Sequence, residues 1–357
     1  MAQDEFRESA NTAFDVAVVG GGCVGTAVAM YAAGAGLRVA LLERDDFSAG
    51  ATWASTELIH GGLQYLFRMR LGIVRKSNKY ARRIYRSINF LCEPVGIVVP
   101  CYRGGPIPMS ALRVVMWMYE RYNRRYKGAP PATRMTPQEI LQDLPQLASD
   151  GLLGGIKYYE WRIDASRLCL INALAAEDRG AVIRNHCAVT AVERTGHGSL
   201  RVTAHDRRTG GPVTLEAATV VNATGPWTDR FMDLAGLPAR PRIRPTRGAH
   251  VFLKKVSDVG LLIPFIDGRF GVMVPRGHLS MVGTTDDDYY GDLDHMTATK
   301  DEVGYLVEGI HRHLPGVTED DVVDTKVGVR PTRYQFGTNE DKVSRDHAIE
   351  RHTADGL

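Results

Sequence analysis

The stretch Phe14–Arg44, FDVAVVGGGCVGTAVAMYAAGAGLRVALLER, decides the fold. Asp15–Val19 is a short β-branched run, as expected of a buried parallel strand. It runs into Gly20-x-Gly22-x-x-Gly25, and an alanine-rich helix follows to about Ala35. A second strand, Arg38–Leu42, ends at Glu43. Gly20 permits the tight turn, Gly22 lets the backbone approach a pyrophosphate, and Gly25 lets helix and strand pack closely. The helix start supplies free N–H groups and a positive dipole end for phosphates. Glu43, eighteen residues past Gly25, is placed to accept hydrogen bonds from an adenosine ribose, with Arg44 beside it. A lone GxGxxG is usually only a flexible turn. Strand, helix, second strand and terminal acid together predict dinucleotide binding, without separating FAD from NAD.

Working outward, the chain has 357 residues, enough for two domains or one large interleaved one. Its 44% apolar and 24% charged content is that of an ordinary soluble globular protein, and a net charge of +3 says little about partners. Cys23, Cys92, Cys101, Cys169 and Cys187 show no CxxC and no metal-binding spacing, which points to reduced thiols and a cytoplasmic setting. The polar, acidic start is not a signal peptide, and glycines and Arg38 break up the apolar residues 16–42, so they do not form a membrane span. No nucleic-acid-binding motif is present.

Residues 67–90 read as a basic helix, Gly96–Cys101 as a strand and residues 108–127 as a Met- and aromatic-rich helix. Thr136, Pro137 and Glu139 form a helix start with a capping box. Strands are expected around 153–160, 182–194, 199–206 and 213–221, with a helix at 165–179 among them. A strand-rich block at 243–285 and a helix at 299–314 follow. Strand blocks separated by helices without a clean linker predict two interleaved domains.

Further motifs follow the fingerprint in order: GATWASTELIHGGLQYL, RIDASRL, VVNATGPWTD, RPTRGAHV, MVGTTD, VGVRP and SRDHAIERH. With them the chain resembles the FAD-dependent glycerol-3-phosphate dehydrogenases, within the glycine oxidase and D-amino-acid oxidase-like flavoproteins. The resemblance implies FAD as cofactor. It also implies an α/β fold: a Rossmann-like FAD-binding domain (14–92, 161–240 and 320–357) interleaved with an antiparallel-sheet substrate domain (93–160 and 241–319). Residues 1–13 would be a flexible N-terminus. The implied chemistry is loss of a hydroxyl proton and hydride transfer from the carbinol carbon to flavin N5, with electrons passed on to a quinone.

The same resemblance assigns site residues. Small residues at Ala223, Thr224 and Gly225 allow a second backbone approach to the dinucleotide, against the plainer reading of a strand–turn–helix junction. Ser55, Glu57 and Leu58 fall where the family contacts the flavin. Arg330 would lie over the flavin and bind substrate, and Arg345 would contact it too; guanidinium groups hold phosphate oxygens in pairs. Arg330 could instead make a surface ion pair. His60 would stand beside the isoalloxazine as the base, or simply satisfy a helix start. His250 and Thr284–Asp286 are weaker candidates.

Three departures from the family pattern stand out. Position 57 is acidic where the family is basic. Gln64, followed by Tyr65, replaces an arginine that helps hold phosphate, so its hydrogen bonds lack charge assistance. Arg68 and Arg70 lie close behind. The chain also ends at RHTADGL, where the family continues into a segment closing over the flavin; the resemblance thus implies a C-terminally truncated form. Between Glu57 and Glu93 the charged residues are all basic, and Arg68, Arg75, Lys79, Arg82 and Arg86 share a helical face. That face is solvated or meets anionic lipid, as the helix at 108–127 would at a membrane interface. The expectation is an FAD-dependent dehydrogenase for sn-glycerol 3-phosphate or a related anionic hydroxy compound. It would be cytoplasmic, with peripheral attachment at the inner face of a membrane. The alternatives are an oxidase of an amine or hydroxy acid using dioxygen, an NAD enzyme, and a non-catalytic flavin-binding or partner-binding module.

Overall fold

The computed structural model describes residues 13–63, 66, 71–123, 130–238, 240–338 and 347–352. Its elements begin with strand β1 (Phe14–Val19), helix α1 (Cys23–Gly34), β2 (Val39–Leu42), β3 (Leu58–Ile59), α2 (Leu71–Ile88), β4 (Cys92–Tyr102) and α3 (Met109–Asn123). Next come β5 (Thr133–Met135), α4 (Pro137–Asp143), β6 (Leu152–Ile163), α5 (Ala165–Glu177), β7 (Val182–Arg184), β8 (Cys187–Arg194), β9 (Leu200–Asp206) and β10 (Pro212–Asn222). The last are α6 (Thr228–Leu234), β11 (Ile243–Lys254), β12 (Gly260–Pro264), β13 (Phe270–Arg276), β14 (Leu279–Gly283), β15 (Asp287–Asp288), α7 (Lys300–His311) and β16 (Val322–Arg333).

The first sheet has the order β7-β2-β1-β10-β9-β8. Its first four strands run parallel, and β9 and β8 join antiparallel. Side chains alternate across a strand, and here both faces are covered. Ala17, Val19, Ala40 and Leu42 enter one core with Val202, Leu215 and Phe231. Val18, Val39 and Leu41 enter another with Ala29 and Ala33 of α1 and Ala176 near the end of α5. That burial on both faces is why β1 and β2 read as continuous apolar runs. Alanines let the two helices lie close to the sheet.

The second sheet runs β15-β11-β14-β13-β12-β4-β6-β3, with β16 beside β11 and β5 beside β6. Among the described residues β12 and β4 pair parallel and the other pairings are antiparallel. On one side α4 and α7 supply Ile140, Leu306 and Ile310. On the other, α2 and α3 supply Val74, Leu112, Met116 and Tyr119.

The Rossmann-like parallel core and the largely antiparallel second sheet are the expected architecture. The run expected as one strand over 182–194 is two, because His186 takes a left-handed φ of 53°. β7 then joins β2 in parallel while β8 turns to pair with β9. The division that assigns residues 320–357 to the nucleotide unit meets a β16 hydrogen-bonded along β11 of the second sheet. The capping box at Thr136 and Glu139 is formed as the spacing predicts. All five cysteines are unpaired.

Candidate active site

The fingerprint turn puts three glycines in three different environments. Gly20 has φ +108°, and a Cβ there would meet the Ala223 carbonyl oxygen at 2.5 Å. A Cβ on Gly25 would fall 1.8 Å from the Gly20 carbonyl oxygen. These two glycines serve protein packing, since β1, α1 and the end of β10 leave no room for a side chain. At Gly22 a Cβ would meet only Thr52 Oγ1, at 3.3 Å. Gly22 faces open space, where a ligand can approach.

That space is a crevice of about 850 Å³. Gly20, Gly22 and Cys23 line one side, Glu43 and Arg44 the end of β2, and Ser55 the following loop. Ala223, Thr224 and Gly225 line it after β10, and Gly328, Val329 and Pro331 of β16 bring in the second sheet. The crevice therefore lies beyond the carboxyl ends of parallel strands, where open α/β sheets bind ligands. α1 has no side-chain cap from Gly22, so its first N–H groups are available at this end, although Cys23 N–H reaches Thr52 Oγ1 at 3.1 Å. Glu43 accepts from Gly21 N–H at 2.5 Å and from Asp45 N–H at 2.8 Å. Each carboxylate oxygen can accept twice, so these bonds orient the acid and leave acceptor capacity for ribose hydroxyls.

Glu57 and Leu58 do not line the crevice. Leu58 is in β3, paired with Arg162 of β6. Glu57 takes a left-handed φ of 56°, is 3% exposed, and lies against the Arg276 guanidinium. Its charge is therefore neutralised inside the protein. The preceding residue, Thr56, reaches one of two buried bases, His250 and Lys326, which face each other across β11 and β16. His250 Nε2 is 2.9 Å from Thr56 Oγ1. Burial, with the Lys326 and Arg330 charges, lowers the imidazole to about 3, so it is neutral. Burial, with Arg276, lowers the Lys326 ammonium to about 8, and Lys326 sits over the Trp53 ring.

Arg330 lies within β16, not at its end. It donates to Asp286 Oδ1 and Thr284 Oγ1, both at 2.9 Å, and to the Thr285 and Arg247 carbonyls at 3.2 and 3.3 Å. Asp286 and Thr284 thus aim the guanidinium, and Gly248 leaves it space: a Cβ there would meet Arg330 Nη2 at 2.4 Å. His60 is exposed, just before the buried Gly61. Gly61 is held by a buried network in which its N–H donates to Tyr119 Oη at 3.0 Å and Glu160 Oε2 at 3.2 Å. Asn78 Nδ2 donates to the Gly61 carbonyl at 2.9 Å, and Tyr119 bonds Glu160. Gln64, Tyr65, Arg68, Arg70 and Arg345 lie outside the described residues.

The model of the FAD dependent oxidoreductase (DAO) family matches residues 15–352. The chain belongs to that family. Glycerol-3-phosphate dehydrogenase of Synechocystis sp. is 32% identical over 370 residues, covering 99% of this chain and 66% of that protein. Alpha-glycerophosphate oxidase of Enterococcus casseliflavus is 30% identical over 346 residues, covering 92% of this chain and 56% of its own length. The chain thus spans 56–66% of the length of these two curated relatives. The solved glycerol-3-phosphate dehydrogenase of Bacillus halodurans, complexed with FAD, matches at TM-score 0.74 and 25% identity, over 93% of this chain and 60% of that one. Glycine oxidase of Geobacillus kaustophilus shares the fold at TM-score 0.61 and 20% identity, over 90% of this chain and 83% of its own. FAD, the cofactor in the family's name, fits the crevice: Gly22 opens it, and small residues at 223–225 bound it.

Sequence reasoning missed Lys326, Arg276, Glu160 and, on the crevice wall, Asp294. The shortest of their pairings, Tyr119 with Glu160, spans 41 positions, and no local pattern encodes such a pairing.

Proposed function

We propose that this chain carries the cofactor and substrate centre of an FAD-dependent dehydrogenase for sn-glycerol 3-phosphate or a related anionic hydroxy compound. The observation that carries this reading is Arg330, a cation braced by Asp286 and Thr284 on the strand whose Gly328, Val329 and Pro331 line the crevice. Its two Nη nitrogens are taken up by Asp286, Thr284 and the Arg247 and Thr285 carbonyls, so what it offers an anion is a positive charge held in a fixed direction. The similarity to proteins named for glycerol 3-phosphate supports the substrate class.

FAD, when bound, supplies the two-electron acceptor. Gly20, Gly22, Ser55, Ala223, Thr224 and Gly225 would cradle it, Gly25 keeps the turn tight, and Glu43 with Arg44 would hold its adenosine end. Glu57, paired with Arg276, and Leu58, in β3, are left out of this cradle. His60 would take the hydroxyl proton, since imidazole is the side chain suited to accepting a proton near neutral pH. Gln64, Tyr65 and Arg345 complete the substrate contacts. The electrons go to a quinone. Anaerobic addition of sn-glycerol 3-phosphate and of a panel of hydroxy acids and amines to the FAD-loaded protein tests this: bleaching of the flavin band by the glycerol phosphate is the expected outcome. Bleaching by amines alone would overturn it. Peroxide release in air without quinone would favour the oxidase reading, to which the Enterococcus similarity gives weight.

Attachment to an anionic membrane surface is part of the same proposal. No helix among the described residues is long and apolar enough to cross a membrane. α2 carries Arg75, Lys76, Lys79, Arg82, Arg83 and Arg86, and α3 exposes Val114 and Trp117 at 59% and 64%. Co-sedimentation with anionic but not neutral liposomes checks it.

A further inference from the structure

The adenosine end of the crevice is crossed by a segment of the second sheet's side of the molecule. After β15 the chain runs through Asp292–Met296 before α7 begins, and Leu293, Asp294 and Met296 line the crevice. One side chain ties this segment to the nucleotide-binding side. The Asp294 carboxylate accepts from Trp227 Nε1 at 2.9 Å and from Arg230 Nη1 at 2.7 Å, and pairs with Arg44 Nη1 at 2.7 Å. Arg44 in turn lies over the Trp227 ring at 4.3 Å and pairs with Asp45 at 3.0 Å. Asp45 is also held by Arg207 at 2.6 Å. All of these residues line the crevice, next to Glu43.

We propose that residues 292–296 form a strap, pinned by Asp294 to Arg44, Trp227 and Arg230, that closes the adenosine end of the crevice and sets how long FAD stays bound. The inference rests on FAD occupying the crevice, not on the substrate. Its placement follows from Glu43, since the acid ending the second strand of this unit marks the ribose end. Asp294 joins three groups from two separate elements, β2's end and the α6 region, to a loop that otherwise belongs to the second sheet. Burial alone would raise its carboxyl, but the bonds from Arg230 and Arg44 outweigh burial and hold it below its ordinary value, so the pin is an anion at neutral pH. Charge pairs that are partly exposed are weakened by salt. The strap therefore loosens as ionic strength rises.

The test follows flavin fluorescence during release of FAD from the loaded protein on dilution, and during uptake by the stripped protein, at low and high salt. Asp294→Ala should release FAD roughly tenfold faster, the equivalent of about 1.4 kcal/mol, and lose most of the salt acceleration seen in the unmodified protein. Uptake should not slow, because opening a strap eases entry, whereas general damage to the fold would slow it. Trp227→Phe keeps the ring and deletes one donor, and Arg230→Gln deletes another. These two variants replace Asp294→Ala if that protein does not fold, with release about threefold faster in each. Release within about twofold of the unmodified rate, or slower uptake, overturns the strap alone. A protein that takes up no FAD overturns it together with the cofactor assignment.

Discussion

The two sides of the crevice are built by different means. The nucleotide side is made of backbone and small side chains: Gly20, Gly22 and Gly25 at one turn, and Ala223–Gly225 at another. On the second-sheet side, behind the lining residues Gly328, Val329 and Pro331, stand charged and titratable side chains: Arg330 paired with Asp286, Glu57 with Arg276, and Lys326 opposite His250. A dinucleotide can be held largely by N–H groups and a helix end, which any sequence with room for it can supply. A small anion needs a cation in a fixed direction, and a cation buried on a sheet needs partners. The first kind of site is specified within Phe14–Arg44 apart from the turn at Ala223–Gly225. The second is assembled from five segments between Glu57 and Arg330.

The comparison breaks most completely at Gly25. With a Cβ position 1.8 Å from the Gly20 carbonyl oxygen, Gly25→Val forces α1 away from β1. The expected outcome is loss of both the folded protein and its flavin absorbance, read by circular dichroism and by visible spectra of the purified protein. Retained flavin binding would show that α1 and β1 can separate without losing the site.

On the opposite side, Arg330→Ala should spare the flavin band and lower turnover of an anionic substrate by roughly 10- to 100-fold, as one interaction with a charged group contributes about 1.5–3 kcal/mol. Steady-state rates with sn-glycerol 3-phosphate, beside a flavin spectrum of the same sample, check both halves. Unchanged turnover would remove Arg330 from the substrate site.

This contrast also explains what was legible in the sequence. The βαβ unit could be read residue by residue, because its strand pattern, glycine spacing and terminal acid are all local. The capping box at Thr136 was legible for the same reason. The bend at His186 was not: alternation in the residues around it runs on, and only the need for β8 to meet β9 turns the backbone. Arg330 was found through the VGVRP motif, but its partner Asp286 lies 44 positions away. Glu57 looked like a negative charge added to the flavin site. Its burial against Arg276 was invisible, because the pair forms across the fold between the loop before β3 and the end of β13.

A smaller effect is expected behind the His60–Gly61 turn. Glu160 is buried, and burial raises its carboxyl to about 8 from an ordinary 4.5, against the lowering bonds from Tyr119 and Gly61. Between those two values the folded protein keeps a proton that the unfolded chain has lost. Stability from this group is therefore present in full below about pH 4.5 and lost as pH rises through about 8. Across two pH units inside that window the change is about 2–3 kcal/mol. Glu160→Gln cannot titrate, so its thermal midpoint should vary less between about pH 5 and 8 than that of the unmodified protein. Parallel curves would mean that Tyr119 and Gly61 keep Glu160 ionised throughout.

The smallest expected effect separates the glycines of the fingerprint from one another. Gly22→Ala places a methyl group 3.3 Å from Thr52 Oγ1, a contact that a small shift of one side chain relieves. The protein should fold with an unchanged thermal midpoint when free of cofactor. The same methyl projects into the crevice, where the phosphates approach the start of α1, and it also stands beside the Thr52 hydroxyl that accepts from Cys23 N–H. FAD affinity should fall roughly tenfold, about 1.4 kcal/mol, measured by fluorescence titration of the stripped protein. If Gly22→Ala lowers the midpoint as Gly25→Val does, then all three glycines serve packing and the cofactor has no backbone approach at this turn. A weakened affinity in an intact fold assigns packing to Gly20 and Gly25 and ligand approach to Gly22, a division that the spacing of the motif states and that only the surroundings of each glycine can demonstrate.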